Sequence, residues 1–433
     1  VRRWVAQTVW AALYLITMAM PAALSWAVPG ADAMDRAAVL TGLLAASALA
    51  CAAVLPARLR SLTRSIGIED VISSHRFLGG FVAVTVAAHL AVVLVSDPAN
   101  LARLDLLRAN TAGRAGTLAT LALLGLVMAA LRPRRQYERW RTAHVILAAA
   151  VLVLTGVHVW ALRNMIEHPV ARGWFLALAL AVGAVGVYRW AWRRFVPSEP
   201  YRVRDVWWET HDVFTLILEP WHRRRRAIFP FNPGQFVWLR LKPSLRAEQH
   251  PFTIASSAAQ ATYLCFTVRV VGDFSTLLSE LKPGDAVWLD GPHGAFCLDT
   301  LPGTGLVMIA GGVGITPMMS MLRSLADRGD TRPHRLIAVA RTSADLLFHD
   351  ELITLSERLH LDVVGLVRHP DAGEVPGDVD EELLARVLPG AFRRSQLSYF
   401  VCGSTEMVGA VVALLAAMEI PRRQIHTERF DVA

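Results

Sequence analysis

Four histidines stand where polar side chains are scarce. His75 and His89 lie in one long apolar stretch and His144 and His158 in another, and within each stretch the two are 14 residues apart. At about 3.6 residues per turn and about 1.5 Å per residue, that spacing returns a side chain to nearly the same helix face roughly 21 Å further along. Two such helices facing each other offer two His–His pairs, one above the other. A haem iron in an electron-transfer site takes an imidazole on each axial face. One histidine from each helix supplies that, and full ligation leaves no open position for oxygen at iron. A lone intramembrane histidine is more simply read as an interhelical hydrogen bond or an interface residue. Four in a duplicated spacing carry a burial cost that calls for a partner, so the pattern points to two haems ligated by His75, His89, His144 and His158.

A second kind of chemistry is written further along the chain. The junction Ala310-Gly311-Gly312-Val313-Gly314-Ile315-Thr316-Pro317 follows an apolar run and precedes a helical pattern. Glycines in such a turn let the backbone approach a pyrophosphate, whose charge the helix N-terminus favours. Pro317 stands where the usual dinucleotide fingerprint has its third glycine. Arg341 ends the next strand pattern. A cation there can meet the 2′-phosphate of NADPH, where an acid would instead bind the ribose hydroxyls of NADH.

These residues need two kinds of scaffold. The chain has 433 residues and a mean hydropathy of +0.39, too apolar for a soluble average. The excess sits in the first half, in apolar stretches at roughly 9–28, 37–55, 71–95, 115–131, 142–162 and 173–191, each near the ~20 residues that span hydrocarbon. They are read as six transmembrane helices. The first could instead be a signal peptide, since Arg2 and Arg3 precede it; the run is long for that, and five more spans succeed it. Alternate loops are rich in arginine (Arg58, Arg60, Arg64 and Arg76; Arg132, Arg134, Arg135, Arg139 and Arg141; Arg189, Arg193 and Arg194). This places both termini in the cytosol of a multi-pass cell (inner) membrane protein. His75 and His144 then share the inner haem, with Arg76 and Arg141 either pairing with its propionates or anchoring the helices, and His89 and His158 share the outer one. The net charge of +8 is mostly a topology signal. Its arginines are spread over short loops, so no nucleic-acid partner is called for. Cys51, Cys265, Cys297 and Cys402 form no close pair, which argues against a zinc or iron–sulfur site and fits a reducing compartment. No internal repeat stands out.

Composition changes at 196–200, the way out of the sixth helix. Short β-type runs follow at 213–218, 235–241, 263–271 and 286–289, with Pro233-Gly234 and Pro283-Gly284 turns, as in a small antiparallel barrel. From there strands (306–310, 336–340, 361–366, 399–402) alternate with helical segments (317–326, 346–359), as in a parallel α/β nucleotide domain. The expected architecture is a six-helix transmembrane di-haem bundle over 1–196, an antiparallel β-barrel FAD domain over 197–300 and an α/β NADPH domain over 301–433.

Taken in order, His250-Pro251-Phe252-Thr253, Val271-Gly272-Asp273-Phe274-Ser275-Thr276, the Gly311–Pro317 turn and Cys402-Gly403 resemble the motifs of the ferredoxin–NADP reductase superfamily. With the paired histidines in front, residues 37–430 resemble the ferric reductase and NADPH oxidase family in its compact bacterial form. The resemblance implies FAD on the barrel and NADPH on the α/β domain. It implies that Phe252, after Pro251, packs on the flavin ring and that Thr253 hydrogen-bonds near flavin N5. His250 stands where many relatives have an arginine on the FAD phosphates. Gly272, Ser275 and Thr276 would hold the pyrophosphate with Arg269 nearby, and Gly311, Gly312, Val313, Gly314, Ile315, Thr316 and Pro317 would receive the nicotinamide nucleotide. Cys402 and Gly403 would sit beside the nicotinamide, and Phe430 would cover the flavin until nicotinamide displaces it.

Electrons would then run from NADPH through FAD and the two haems to an acceptor on the far side, either O2, giving superoxide, or a ferric chelate. Both readings share every motif quoted. The outer loops at 28–36, 96–114 and 163–172 offer Arg103, Arg108, Arg163 and His168 as acceptor contacts. An alternative keeps the membrane half as an electron-relay module supplying a docked extracytoplasmic partner. The run Arg223-Arg224-Arg225-Arg226 is either simply solvated or docks to anionic lipid headgroups or to the inner face of the membrane domain. No EF-hand calcium loop is present.

Overall fold

A computed structural model describes residues 2–26, 32–57, 59–131, 137–162, 169–188, 200–221, 230–243, 247–259, 262–298, 304–370, 377–390 and 394–430. The arginine run 223–226, most of the expected linker, the loop residues Arg58, Arg132, Arg134, Arg135, Arg163, His168, Arg189, Arg193 and Arg194, and the three residues after Phe430 lie outside the described residues. The chain divides into two compact units, Val1–Phe195 and Val196–Ala433.

The first unit is helical: α1 (Arg2–Trp26), α2 (Ala33–Val54), a short α3 (Arg60–Ser65), α4 (Ile68–Ser96), α5 (Thr111–Leu131), α6 (Tyr137–Ala161) and α7 (Pro169–Val187). All but α3 contain apolar helical stretches, 19 to 29 residues long, that can cross a membrane, so the six expected spans are present. Ala- and Leu-rich runs favour helix, α1 continues through Pro21, and side-chain caps mark where α2 and α5 start. Asp32 accepts from the Asp35 amide ahead of α2 at 2.8 Å, and Asn110 accepts from the Gly113 amide at the start of α5 at 2.9 Å. Leucines and valines such as Leu121, Leu124, Val153 and Leu180 face outward, as a lipid-facing surface requires.

The tightest helix pairs are α2 with α4 and α5 with α6. Small and branched side chains, Ala48, Ala52, Leu78, Val82, Leu123 and Val151, fill the core between them. No repeat shows on inspection of the sequence, yet the two hairpins are equivalent. His89 of α4 meets Ala38 of α2 and, four residues on, Gly42; His158 of α6 meets Ala112 of α5 and, four residues on, Gly116. Leu78 and Val82 follow His75 by three and seven residues, as Leu147 and Val151 follow His144.

The second unit holds two sheets. The antiparallel one is ordered β4-β3-β6-β1-β2-β5, from β1 (Pro200–Trp208), β2 (Val213–Pro220), β3 (Phe236–Arg240), β4 (His250–Thr253), β5 (Leu264–Arg269) and β6 (Ala286–His293), with α8 (Asp273–Ser279) beside it. The parallel one is ordered β11-β10-β7-β8-β9, from β7 (Leu306–Gly311), β8 (His334–Ala340), β9 (Leu361–Val367), β10 (Ser398–Gly403) and β11 (Ile425–Arg429). Helices α9 (Thr316–Asp327), α10 (His349–Arg358), α11 (Glu381–Val387) and α12 (Thr405–Ala417) join its strands. Each sheet has its own core, Phe214, Leu216, Val237, Leu264 and Phe266 in one and Met308, Met318, Leu322, Leu336 and Phe400 in the other. Strands β1, β4 and β11 have no counterpart in the expected runs.

Candidate functional site

The first unit brings the four histidines to two levels of one helix pair. His75 and His144 have ring centres 6.1 Å apart with planes at 63°. Two imidazoles sharing one metal, each bonded at about 2 Å with roughly 1 Å more to the ring centre, stand about 6 Å apart, so this separation suits axial ligation. A backbone carbonyl on the neighbouring helix meets Nδ1 of three of the rings: Ala52 O for His75 at 3.0 Å, Ala38 O for His89 at 2.9 Å and Ala112 O for His158 at 2.8 Å. A carbonyl can only accept, so Nδ1 carries the proton and Nε2 of the neutral ring keeps its lone pair, as second-shell bonds arrange in metal sites. Space has been left as well. A Cβ on Gly116 would stand 2.8 Å from His158 Nδ1, and one on Gly42 3.0 Å from His89 Cε1. Trp140 donates to Ala129 O at 3.0 Å and lays its ring 5.2 Å from that of His144. The donor set and its supports therefore fit two bis-imidazole haems. Arg76 is exposed and Arg141 half-buried, and in the loop after α4 Arg108 pairs with Asp105 at 3.7 Å.

In the second unit, β4 carries His250, Pro251, Phe252 and Thr253 at the sheet edge, where a proline removes no ladder hydrogen bond. Phe236 of β3 pairs with Thr253, whose side chain is buried. Phe274, from the first turn of α8, packs on both neighbouring rings, 4.5 Å from His250 and 6.2 Å from Phe252. It therefore joins the two flavin motifs, and sequence reasoning gave it no role. His250 Nε2 lies 2.8 Å from the Glu248 carboxylate, which competes with a phosphate for that ring. Ser275 is occupied in its own turn: its hydroxyl accepts from the Val271 and Gly272 amides at 2.9 and 3.0 Å and donates to Gly272 O at 2.8 Å. Thr276 also donates to Gly272 O, at 3.1 Å. These hydroxyls shape the turn, while its exposed face at Gly272 and Asp273 stays open.

Arg269, at the end of β5, meets Asp212 at 3.2 Å and stands about 3.5 Å from where a Gly312 Cβ would be. It thus spans from the antiparallel sheet to the glycine turn. Gly312 has φ +53°, a left-handed conformation that glycine adopts without cost. Gly314 serves packing instead, since a Cβ there would lie 2.5 Å from Cys402 O. Gly311 and Gly403 close on Met407 in the same way. Thr316 donates to Val313 O at 2.9 Å, and Pro317 opens α9, where its missing N–H costs nothing. The turn at Gly311, Gly312, Val313, Gly314 and Ile315 is thereby fitted against the end of β10. Cys402 is fully buried, and Phe430 donates its amide to Gly403 O at 3.1 Å, so Gly311–Pro317, Cys402, Gly403 and Phe430 converge. Glu428, buried on β11 in register with Cys402, joins this corner; in the mostly polar run Ile-His-Thr-Glu-Arg nothing in the sequence singled it out.

Arg341 follows β8 and is exposed. The backbone ties its neighbourhood to the end of β9, through Arg368 N to Ala340 O at 3.1 Å and His369 N to Arg341 O at 2.8 Å. A cavity beside it is lined by Ser343, Leu346, His349, Leu366, Val367 and Gly377. His211, Asp212 and Asp345 also cluster, but Arg269 already supplies a cation to Asp212.

A parallel nucleotide sheet whose glycine turn is locked to the end of β10, beside an antiparallel flavin-type sheet, defines an NAD(P)H-dependent oxidoreductase. Family models agree in order along the chain: the ferric reductase like transmembrane component over residues 41–155, an FAD-binding domain over 202–295 and an oxidoreductase NAD-binding domain over 308–413. The chain is 30% identical over 246 residues to ferredoxin–NADP reductase B of Sorangium cellulosum, covering 54% of this chain and all of that one. It is 29% identical over 231 residues to the reductase component of propane 2-monooxygenase of Mycolicibacterium goodii, covering 51% of this chain and 64% of that one. A flavohemoglobin from Malassezia yamatoensis shares the fold at 20% identity and a TM-score of 0.50, over 78% of this chain and 91% of that one. The second unit of this chain belongs to the ferredoxin–NADP reductase family, and with the ferric-reductase-like membrane component in front the order of domains matches a fused protein of the ferric reductase and NADPH oxidase type.

Proposed function

We propose that the chain takes electrons from cytosolic NADPH and passes them through FAD and two bis-histidine b-type haems to O2 or a ferric chelate across the membrane. The observation that carries this reading is the histidine arrangement, with Nδ1 bonded to backbone carbonyls on neighbouring helices and Nε2 left for iron. Residues 1–196 serve as the di-haem unit, 197–300 as the FAD domain and 301–433 as the NADPH domain.

When bound, FAD turns a two-electron hydride donor into a source of single electrons, and haems relay them one at a time. The chain's residues bind and orient. Phe252, braced by Phe274, would offer its ring to the flavin, Thr253 would hydrogen-bond near N5, and Arg269 and the turn at Gly272 would bind the pyrophosphate. Arg341 takes the 2′-phosphate, and Cys402, Gly403 and Phe430 border the nicotinamide. His75 with His144 and His89 with His158 would hold the haems, and two imidazoles on one metal would leave no open position there for the acceptor.

The test is an absorbance spectrum of the detergent-purified chain before and after anaerobic NADPH, followed by air or a ferric chelate. Haem bands that sharpen with NADPH support the path. Superoxide at the turnover rate identifies an oxidase, and rapid reoxidation only by ferric chelate identifies a ferric reductase. A preparation without haem sinks the proposal.

A further inference from the structure

The geometry points to Arg323 as a positioning residue that ties the loop at the nucleotide cavity to the strand end following Thr253, and so sets how nicotinamide meets flavin. This rests on the proposed NADPH-to-FAD transfer and adds a residue that none of the motifs contains.

Helix α9 leaves the glycine turn and presents Ser320, Arg323 and Ser324 on one face, the i, i+3, i+4 spacing that makes side chains neighbours. That face is bonded to the segment running on from β4. Ser320 Oγ donates to Ser256 O at 3.0 Å, Arg323 Nη1 donates to Ala255 O at 2.7 Å, and the Ala258 amide donates to Ser324 Oγ at 2.9 Å. The other side of the segment is held too, by Ile254 N to Gln235 O at 3.0 Å and Ala255 N to Cys265 O at 2.8 Å. Ile254 and Ala255 are fully buried. The residues directly after Thr253 therefore have little freedom to move independently of α9.

Arg323 also faces the nucleotide side. Its Nε and Nη2 donate to the two Glu351 oxygens at 2.6 and 2.5 Å, a bidentate pair whose planar fork a lysine cannot reproduce. Its guanidinium carbon lies 5.2 Å from the centre of the Phe348 ring. Phe348 has φ +60°, a conformation that bulky residues hold only where the surroundings over-determine it. Phe348 and Glu351 bracket His349, which with Ser343 and Leu346 lines the cavity at the ends of β8 and β9. One side chain thus touches the flavin-side strand end and the nucleotide-side loop. Apolar packing alone would join the sheets without fixing their register, and a misplacement of about 1 Å costs on the order of 10²-fold in a transfer between two held reactants.

The experiment is anaerobic stopped-flow reduction of flavin by NADPH in the full-length holoprotein, which separates the dissociation constant from the limiting rate. Arg323→Lys should keep its FAD and haem content and bind NADPH within threefold of the parent, while the limiting rate falls tenfold or more. Glu351→Gln leaves Arg323 on Ala255 O and should lose less, three- to tenfold. Unchanged limiting rates in both variants overturn the proposal, as does a rate loss matched by equal loss of FAD. If Arg323→Lys fails to fold, Glu351→Gln decides alone. A parent protein whose flavin is not reduced by NADPH overturns the proposed function instead.

Discussion

Replacing Gly116 by alanine puts the proposed metal chemistry to a local test. The new methyl would lie 2.8 Å from His158 Nδ1 and 3.1 Å from Cε1, inside the ordinary contact distance of about 3.4 Å, so the ring must retreat by about 0.6 Å. Nδ1 is the atom bonded to Ala112 O at 2.8 Å, and a retreat of that size stretches the bond to the edge of hydrogen-bonding distance. Losing a second-shell partner of a ligating histidine typically lowers metal affinity about 10–100-fold, or roughly 1.4–2.7 kcal/mol at 1.36 kcal/mol per tenfold. Haem per chain, measured after challenge with a haem scavenger, should fall from two toward one. In a potentiometric titration one midpoint should move and the other stay, by about 59 mV for each tenfold difference between the oxidised and reduced forms. Gly42→Ala should act at the same level and more mildly, because its closest approach to His89 is 3.0 Å. Gly125→Ala is the control, since it meets only the Leu147 methyls at 3.7 Å. Two full haems with unmoved midpoints in Gly116→Ala, or equal shifts at both haems, would refute the reasoning.

Other perturbations test the second unit. Gly314→Ala places a methyl 2.5 Å from Cys402 O, a backbone atom with no flexible escape; a loss of about 1–3 kcal/mol of stability and of NADPH-driven flavin reduction is expected, read by thermal unfolding and stopped flow. Arg341→Asp should weaken NADPH binding at least tenfold and leave NADH little changed in parallel titrations; equal losses for both nucleotides would remove Arg341 from the 2′-phosphate site. Burial alone would raise the Asp330 carboxyl, but hydrogen bonds from Arg332 and its charge, with His334, outweigh that and hold it at about 2, below the ordinary 3.8. Its contribution to stability is therefore present above about pH 3.8 and lost as pH falls through about 2. Asp330→Asn should melt earlier at neutral pH and show a shallower decline between pH 4 and 2, with melting followed against pH.

Elements were legible in the sequence where one physical signal dominated. The six spans are long apolar runs, β7, β8 and β10 are short buried ones, and β9 is a short apolar run of which only Leu361 is buried; all are bounded by turns, so their limits fall within a few residues of the structure. The three strands that escaped notice lack such a pattern. In β1 only Val203 is buried and the register shifts between Val203 and Asp205; β4 is four residues long and contains a proline; β11 reads Ile-His-Thr-Glu-Arg. Each is held by its neighbours in the sheet more than by its own apolarity. The site divides similarly. Histidine spacing and glycine placement are visible in one dimension, but what a glycine faces is not. Gly314 and Gly403 belong to the packing of the turn on β10 and Met407, and Arg323 gains its two sets of partners only when α9 lies between β4 and α10.

The duplicated hairpin bears on how electrons acquire a direction. The repeat makes the two histidines within each level alike, and on the proposed path both levels would offer the same ligand type, two imidazoles with Nδ1 turned to carbonyls wherever that bond is described. Ligand identity then cannot separate their potentials, and the difference must come from what surrounds the rings. There the levels diverge. At the level of His89 and His158 a glycine faces each ring, Gly42 and Gly116. At the level of His75 and His144 the residue four beyond Ala52 is Pro56, the end of α2 is near, and Trp140 lies against His144. Bulky aromatic and imino side chains at one level and bare backbone at the other change local dielectric and access to water, which move a buried redox centre without touching its bonds. Trp140→Leu should therefore shift one midpoint and spare the one moved by Gly116→Ala. If both substitutions move the same midpoint, the two levels are not independent and the repeat does not set the order of transfer.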